Sequence, residues 1–178
     1  MPGVTAILVA RDGGDTAERA LAAQTRRPDD VVVVSAGTPL ARVVAGLPSA
    51  GGDDWLWLLP ADAEPESDAL ARLLAAVEVA PSVVIAGPKL VDPDDRGRLR
   101  SFGESISQRG VTIPLADDEL DQSQHDSDDD VLGVVLPGML VRRTMWDLLG
   151  GPDRGLPSVD AGLDLSIRAR LAGGRVVR

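Results

Sequence analysis

From Val4 to Ala86 the chain repeats one unit: a short, unbroken apolar run, then a stretch of helix formers. The apolar runs are Val4 to Ala10, Val31 to Val34, Trp55 to Leu59 and Val83 to Ala86. Runs this short and rich in β-branched residues fit strands buried on both faces. The segments between them predict helices at Thr16 to Gln24, Pro39 to Leu47 and Glu66 to Val79. Asp15 stands as N-cap of the first. The third carries Leu70, Leu73, Leu74 and Val77 at helical spacing, which marks one buried stripe. Strand–helix alternation implies parallel pairing, because each crossover returns the chain to the same end of the sheet. The expected fold class is therefore α/β, a mostly parallel sheet with helices on both faces.

After Asp92 the pattern changes. Leu99 to Ile113 holds short, weakly patterned segments that suit a hairpin. Ala116 to Asp130 is polar and acidic, and reads as a loop; eight carboxylates lie between Asp117 and Asp130. Val131 to Val141 is apolar but broken at Pro137-Gly138. Thr144 to Leu149 starts a helix that Gly150-Gly151-Pro152 stops. Leu163 to Leu171 predicts a last helix and Arg175 to Val177 a last strand, where the sequence ends at Arg178. A natural domain seldom ends on a core strand, so the expectation is a single domain over 1–178 that continues beyond it. No internal repeat or linker divides it.

Composition narrows the function. Aromatic residues make up only 2%, so the core must be built from Val, Leu, Ile and Ala, with Trp55 and Trp57 on the third strand most simply part of it. The absence of cysteine excludes disulfides, thiol catalysis and Cys-ligated zinc. A formal net charge of −10 disfavours nucleic acid and anionic membrane surfaces as partners. No run approaches the length of a membrane span. No GxGxxG or GxxxxGK[ST] motif is present, which argues against a dehydrogenase-type dinucleotide site and a P-loop.

In an open parallel sheet, ligands bind beyond the carboxyl ends of the strands. Three such ends carry suggestive residues: Arg11-Asp12-Gly13, Ser35-Ala36-Gly37, and Pro60-Ala61-Asp62-Ala63-Glu64. The segments VTAILVARDG, LAAQTRRPDDVVVVSAGT and WLWLLPADAEPESDALARLLAAVE resemble the start of family 2 glycosyltransferases. Large actinobacterial members read roughly LVAHDG, AAQTRRPD, VDTGS and LWLLHDDSAP. The similarity continues in VIAGPKLVD at 84–92 and ELDQSQHD at 119–126. It ends with GMLVRRTMWDLLGG at 138–151 and LDLSIRARLAGGRVV at 163–177.

The resemblance implies a nucleotide-diphospho-sugar transferase (A-type glycosyltransferase) fold. Its nucleotide-binding half would be 1–92 and its acceptor-side half 93–178. It implies a nucleotide-diphosphate sugar donor and a saccharide or lipid-linked acceptor. Ala10, Arg11, Asp12, Ser35, Gly37 and Asp62 match positions that contact the nucleotide. Asp62 and Glu64 match the region that holds a divalent metal, Mg²⁺ or Mn²⁺. Asp160 or Asp164 would be the base that deprotonates the acceptor hydroxyl. His125 and Trp146 would contact donor or acceptor. By the same resemblance the product is a cell-envelope polysaccharide or glycolipid. The domain would then lie in the cytoplasm, held at the membrane only through segments outside this sequence.

The chain departs from the family pattern at five positions. Ser35 stands where an acid usually closes the second strand. Pro60 and Ala61 replace the first acids of the metal motif. Ala161-Gly162 aligns with the Asp-Asp pair of relatives that read FRDDVDFGWR. Simpler roles are open at several sites. Asp62 could cap the following helix, Asp164 the last one, and Trp146 could pack in the core. His125 and the carboxylates after it could form a solvated loop. Two other functions stay open: a non-catalytic domain of the same fold that binds a nucleotide or a partner, and a nucleotidyltransferase, for which Arg11-Asp12-Gly13-Gly14 is a poor phosphate loop.

Overall fold

The computed structural model describes residues 2–10, 15–48, 51–78, 80–116, 118–122, 130–157 and 159–178. The chain forms β1 (Val4–Ala10), α1 (Asp15–Ala22), β2 (Asp30–Ser35), α2 (Leu40–Ala45), β3 (Trp55–Pro60), α3 (Ala69–Glu78) and β4 (Val83–Ala86). It continues through β5 (Leu90–Val91), β6 (Arg98–Ser101), β7 (Glu104–Ile106), β8 (Thr112–Pro114) and β9 (Glu119–Leu120). It closes with β10 (Leu140–Arg142), α4 (Arg143–Leu149), α5 (Ala161–Leu171) and β11 (Arg175–Val177).

Six strands make the central sheet in the order β11-β4-β10-β3-β1-β2. β1 pairs in parallel with β2 and β3, and β11 with β4. β10 is antiparallel to both neighbours, β3 and β4. The sheet is thus mostly parallel, as the alternation predicts, and its one reversed strand comes from the second half. One face packs Val4, Ala6, Leu8, Trp55 and Trp57 under α1 and α3. The other packs Ile7, Leu56, Leu58 and Val141 under α2, α4 and α5. Both faces of β1, β3 and β4 are covered, which is why they read as continuous apolar runs; β2, expected to be buried, is instead an edge strand with Val31 and Val33 exposed. The predicted acidic loop needs one correction: its Glu119–Leu120 segment is a strand, β9, that pairs with β6. The expected hairpin is β7 with β8. Among the described residues no helix is long and apolar enough to cross a membrane.

The QTRRPD segment has a structural role. Gln24 is buried; its Nε2 donates to the Glu66 carbonyl at 2.7 Å, and its Oε1 accepts from the Leu70 amide at 3.1 Å. It therefore satisfies a first-turn amide of α3 from the end of α1. Arg26 donates to the Pro2 carbonyl and to Asp29, whose carboxylate accepts from the Val4 amide at 2.8 Å. The Arg26 hydrogen bond, the largest influence, holds the Asp29 carboxyl below its usual range. The Arg26 and Asp29 contacts fasten the amino end of β1, opposite the edge where ligands bind in such sheets. Gln24→Leu leaves the buried Leu70 amide unpaired, and is expected to cost about 2 kcal/mol in urea unfolding.

Candidate functional site

The register of β1 with its neighbours sets Ala10 beside Ser35, and Val9 beside Pro60. The carboxyl ends of β1, β2 and β3 therefore share one edge. The loops leaving them are tied together there. The Ala36 amide donates to the Ala10 carbonyl at 2.6 Å, and the Ala61 amide to the Val9 carbonyl at 3.0 Å. Arg11 and Asp12, the first-loop candidates, lie outside the described residues, as does His125. Ser35 and Gly37 are exposed at the end of β2, and Gly37 adopts φ +85°, a conformation that favours glycine. A hollow of about 800 Å³ opens there, lined by Val32, Gly37, Thr38, Pro39, Arg42 and Val43. The exposed Arg42 guanidinium beside Gly37 is a cation that sequence reasoning passed over.

Beyond β3 the residues diverge in character. Ala61 is buried, with its carbonyl accepting from the Ala17 amide at 3.1 Å. A carboxylate at this position would be drawn into the α1 contact. Asp62, the next residue, is exposed and has no hydrogen bond or ion pair among the described residues. It does not cap α3, which starts at Ala69. Glu64 and Glu66 are both engaged by Arg96, Glu64 at 3.4 Å. Among the described residues no three His, Asp or Glu side chains gather to hold a metal. Of the two expected metal ligands, then, Asp62 is open and Glu64 is shared with a guanidinium. That set fits an ion held mainly by a diphosphate with one protein carboxylate, not a cage of protein ligands.

The acceptor-side candidates reach the same edge by a different route. β10 runs antiparallel to β3, so its start lies at the carboxyl end of β3. The Gly138 amide donates to the Leu58 carbonyl at 2.7 Å, and the Trp57 indole to the Gly138 carbonyl at 3.2 Å. α5 begins against the segment just before: an added Cβ at Gly162 would lie 2.4 Å from the Val134 carbonyl oxygen and 2.5 Å from the Leu136 nitrogen. Asp160 immediately precedes α5. Its side chain makes no cap bond and instead accepts from the Thr112 hydroxyl at 2.8 Å.

The surroundings of Asp164 and Trp146 suit structural roles, the simpler kind that the sequence left open for them. Asp164 accepts from Arg168 at 2.6 Å, and Arg168 also holds the Leu149 and Gly151 carbonyls at the end of α4. Through Arg168, Asp164 is part of a fastening between α5 and the end of α4. Trp146 is 1% exposed in the core and packs on Gly151, so it presents no face to a sugar. Gly162, where the family resemblance leads one to expect an acid, has no room for any side chain.

Glu104 is the residue that sequence reasoning missed. It is buried, its Oε2 has no hydrogen-bond partner among the described residues, and burial first, then the charge of Asp160, pushes its carboxyl up to about 7. The only sequence signal was an acid in a weakly patterned segment, which carries no information on burial.

Comparison with known proteins bears on this arrangement. No match is found among curated proteins. Among solved structures, the chain is similar to the 2-C-methyl-D-erythritol 4-phosphate cytidylyltransferase of Francisella tularensis. The identity is 11% and the TM-score 0.44, over 83% of this chain and 76% of that one. The model of the family described as glycosyltransferase like family 2 matches residues 1–178. With its mostly parallel sheet of nucleotide-sugar transferase type, the chain belongs to that family, whose activity in general is glycosyl transfer.

Proposed function

We propose that this chain transfers a sugar from a nucleotide-diphosphate donor to an acceptor hydroxyl, with inversion at the anomeric carbon. One observation carries the reading. At the carboxyl edge of the sheet, Asp62 and Asp160 are carboxylates without a cationic partner among the described residues, whereas Glu64, Glu66 and Asp164 are each engaged by an arginine. Carboxylates left open at a ligand-binding edge are available for chemistry; arginine-paired ones are not.

In this reading Ser35, Gly37 and Arg42 line the nucleotide side, and Asp62 meets the diphosphate. A divalent ion, when bound through Asp62, would neutralise charge on the leaving diphosphate. Asp160 takes the proton of the acceptor hydroxyl. The acceptor oxygen then bonds to the anomeric carbon as the bond from that carbon to the phosphate oxygen breaks. The Thr112 hydroxyl orients Asp160. The acceptor belongs to a cell-envelope polysaccharide or glycolipid, and the work is done on the cytoplasmic side of the membrane.

The test is calorimetric titration with UDP-sugars and dTDP-sugars, with and without Mn²⁺, together with assays of donor hydrolysis. Binding is expected to strengthen with Mn²⁺, and Asp62→Ala should weaken it at least about tenfold, the effect of losing about 1.4 kcal/mol. Absence of binding to any nucleotide sugar would sink the proposal. That result would favour a second reading, a binding or scaffold domain of the same fold. The buried Ala61 and the closed position at Gly162, where acids are expected, are what support this alternative.

A further inference from the structure

Glu104 is a buried acid that the proposed chemistry leaves unused. It is 6% exposed, and its Oε2 is an orphan among the described residues. Such a group is costly to bury and calls for an account. Its backbone is clamped in both directions to Gly133, with the amide donating at 2.7 Å and the carbonyl accepting at 3.1 Å. Gly133 lies tight on α5: an added Cβ would stand 2.6 Å from Leu163 Cδ1 and 3.0 Å from Ser166 Cβ. Glu104 is thereby held against the first turns of the helix that Asp160 precedes. The β7–β8 hairpin supplies a second link. Glu104 opens β7 opposite Pro114, and Ile106 faces Thr112, whose hydroxyl holds Asp160. One hairpin thus carries both the buried acid and the group that orients the base.

We propose that Glu104 and Asp160 form a single carboxylate pair, in which Glu104 is a positioning residue that governs how readily Asp160 accepts a proton. The proposal rests on the reading of Asp160 as base. Two neighbouring carboxyl groups do not ionise independently, and the one with better solvation ionises first. Asp160 is half-buried and its carboxylate accepts the Thr112 hydrogen bond. Glu104 is buried and unpartnered, so it keeps the proton. The residues that pair with its backbone, Pro114 of β8 and Gly133 in the segment before β10, bring no titratable group. Among the described residues, Asp160 is the charge that acts on it. When Glu104 ionises, its charge makes Asp160 more basic and proton transfer to Asp160 more favourable.

The experiment combines ¹³C NMR titration of the glutamate carboxyls with the pH profile of UDP-glucose hydrolysis in Mn²⁺. Glu104 is assigned by its loss in Glu104→Gln. Its midpoint is expected near neutrality in the wild type and at lower pH in Asp160→Asn; Asp160→Ala, which removes the same charge, serves if the first variant misfolds. Hydrolysis should rise about threefold between about pH 6 and about pH 8 in the wild type and stay flat in Glu104→Gln, a difference of modest size for tuning one base. An unmoved Glu104 midpoint in both Asp160 variants overturns the pair. A Glu104→Gln profile identical to wild type overturns the positioning role. If the midpoint moves but the wild type hydrolyses no donor, the pair stands and the reading of Asp160 as base fails.

Discussion

Gly162→Ala is expected to lower the unfolding free energy by about 1–2 kcal/mol, although alanine is the better helix former. Replacing glycine inside a helix gains about 1 kcal/mol of propensity. Against this, the new Cβ would lie 2.4 Å from the Val134 carbonyl oxygen, 2.5 Å from the Leu136 nitrogen and 2.7 Å from the Val135 carbonyl carbon. All three are backbone atoms, so no side chain can rotate away. Overpacking of this kind costs about 1–3 kcal/mol and more where the backbone must move. The steric cost wins. Gly162→Asp, which writes an acid into the position where the family resemblance leads one to expect it, adds the burial of a charge. It is expected to fail to fold rather than to improve catalysis. Urea unfolding of both variants checks this, with Gly37→Ala as a control. At Gly37 nothing lies within 4 Å of the added Cβ, and only the cost of φ +85°, about 1 kcal/mol, should appear. Equal stability of Gly162→Ala and wild type would mean that α5 can stand off from residues 134–136.

Glu104→Gln is expected to stabilise the protein at pH 8 by up to about 3 kcal/mol while changing little near pH 4. The folded chain raises the Glu104 carboxyl from 4.5 to about 7. A raised acid binds its proton more tightly when folded, so its stabilising contribution is complete below about 4.5. The contribution declines as pH rises to about 7, then levels off. The size follows from about 2.5 units at 1.36 kcal/mol each. Glutamine keeps the shape without the ionisation, so the difference between the two proteins should open across that window. Asp29, Asp92 and Asp130 contribute in the opposite sense, because hydrogen bonds hold their carboxyls low. Their stabilisation is lost on acidification below the usual aspartate range, and it cancels in the comparison. Thermal unfolding across pH 4 to pH 9 provides the measurement. A constant difference, or none, would show that Glu104 ionises normally.

β1, β3 and β4 were legible because strands covered on both faces leave no polar positions to confuse the pattern; β2 reads the same way in sequence, yet it lies at the sheet edge with Val31 and Val33 exposed. α3 was legible for the same reason: Leu70, Leu73, Leu74 and Val77 are all buried where the stripe predicts. β10 was not. Its insertion against the direction of its neighbours is decided by Trp57, Leu140 and Ala86 meeting across the sheet, and no local pattern records that. The site was half legible. Asp62 and Asp160 could be named because acids at strand and helix ends are conspicuous. Asp164 looked identical in sequence and differs only in having Arg168 one turn on. Glu104 and the closed space at Gly162 depend on which segments press together, which becomes visible only in three dimensions.

The position of β10 also constrains how the molecule can assemble. β3 and β4 are successive strands, yet they do not touch; the strand between them lies more than fifty residues further along the chain. Until Leu140 to Arg142 arrive, the inner edges of β3 and β4 present unpaired amides and carbonyls next to Trp57 and Ile85. The folding barrier therefore includes closing a long loop before the sheet is continuous, and such topologies fold slowly. While the chain emerges from the ribosome, those two edges are its most adhesive surface.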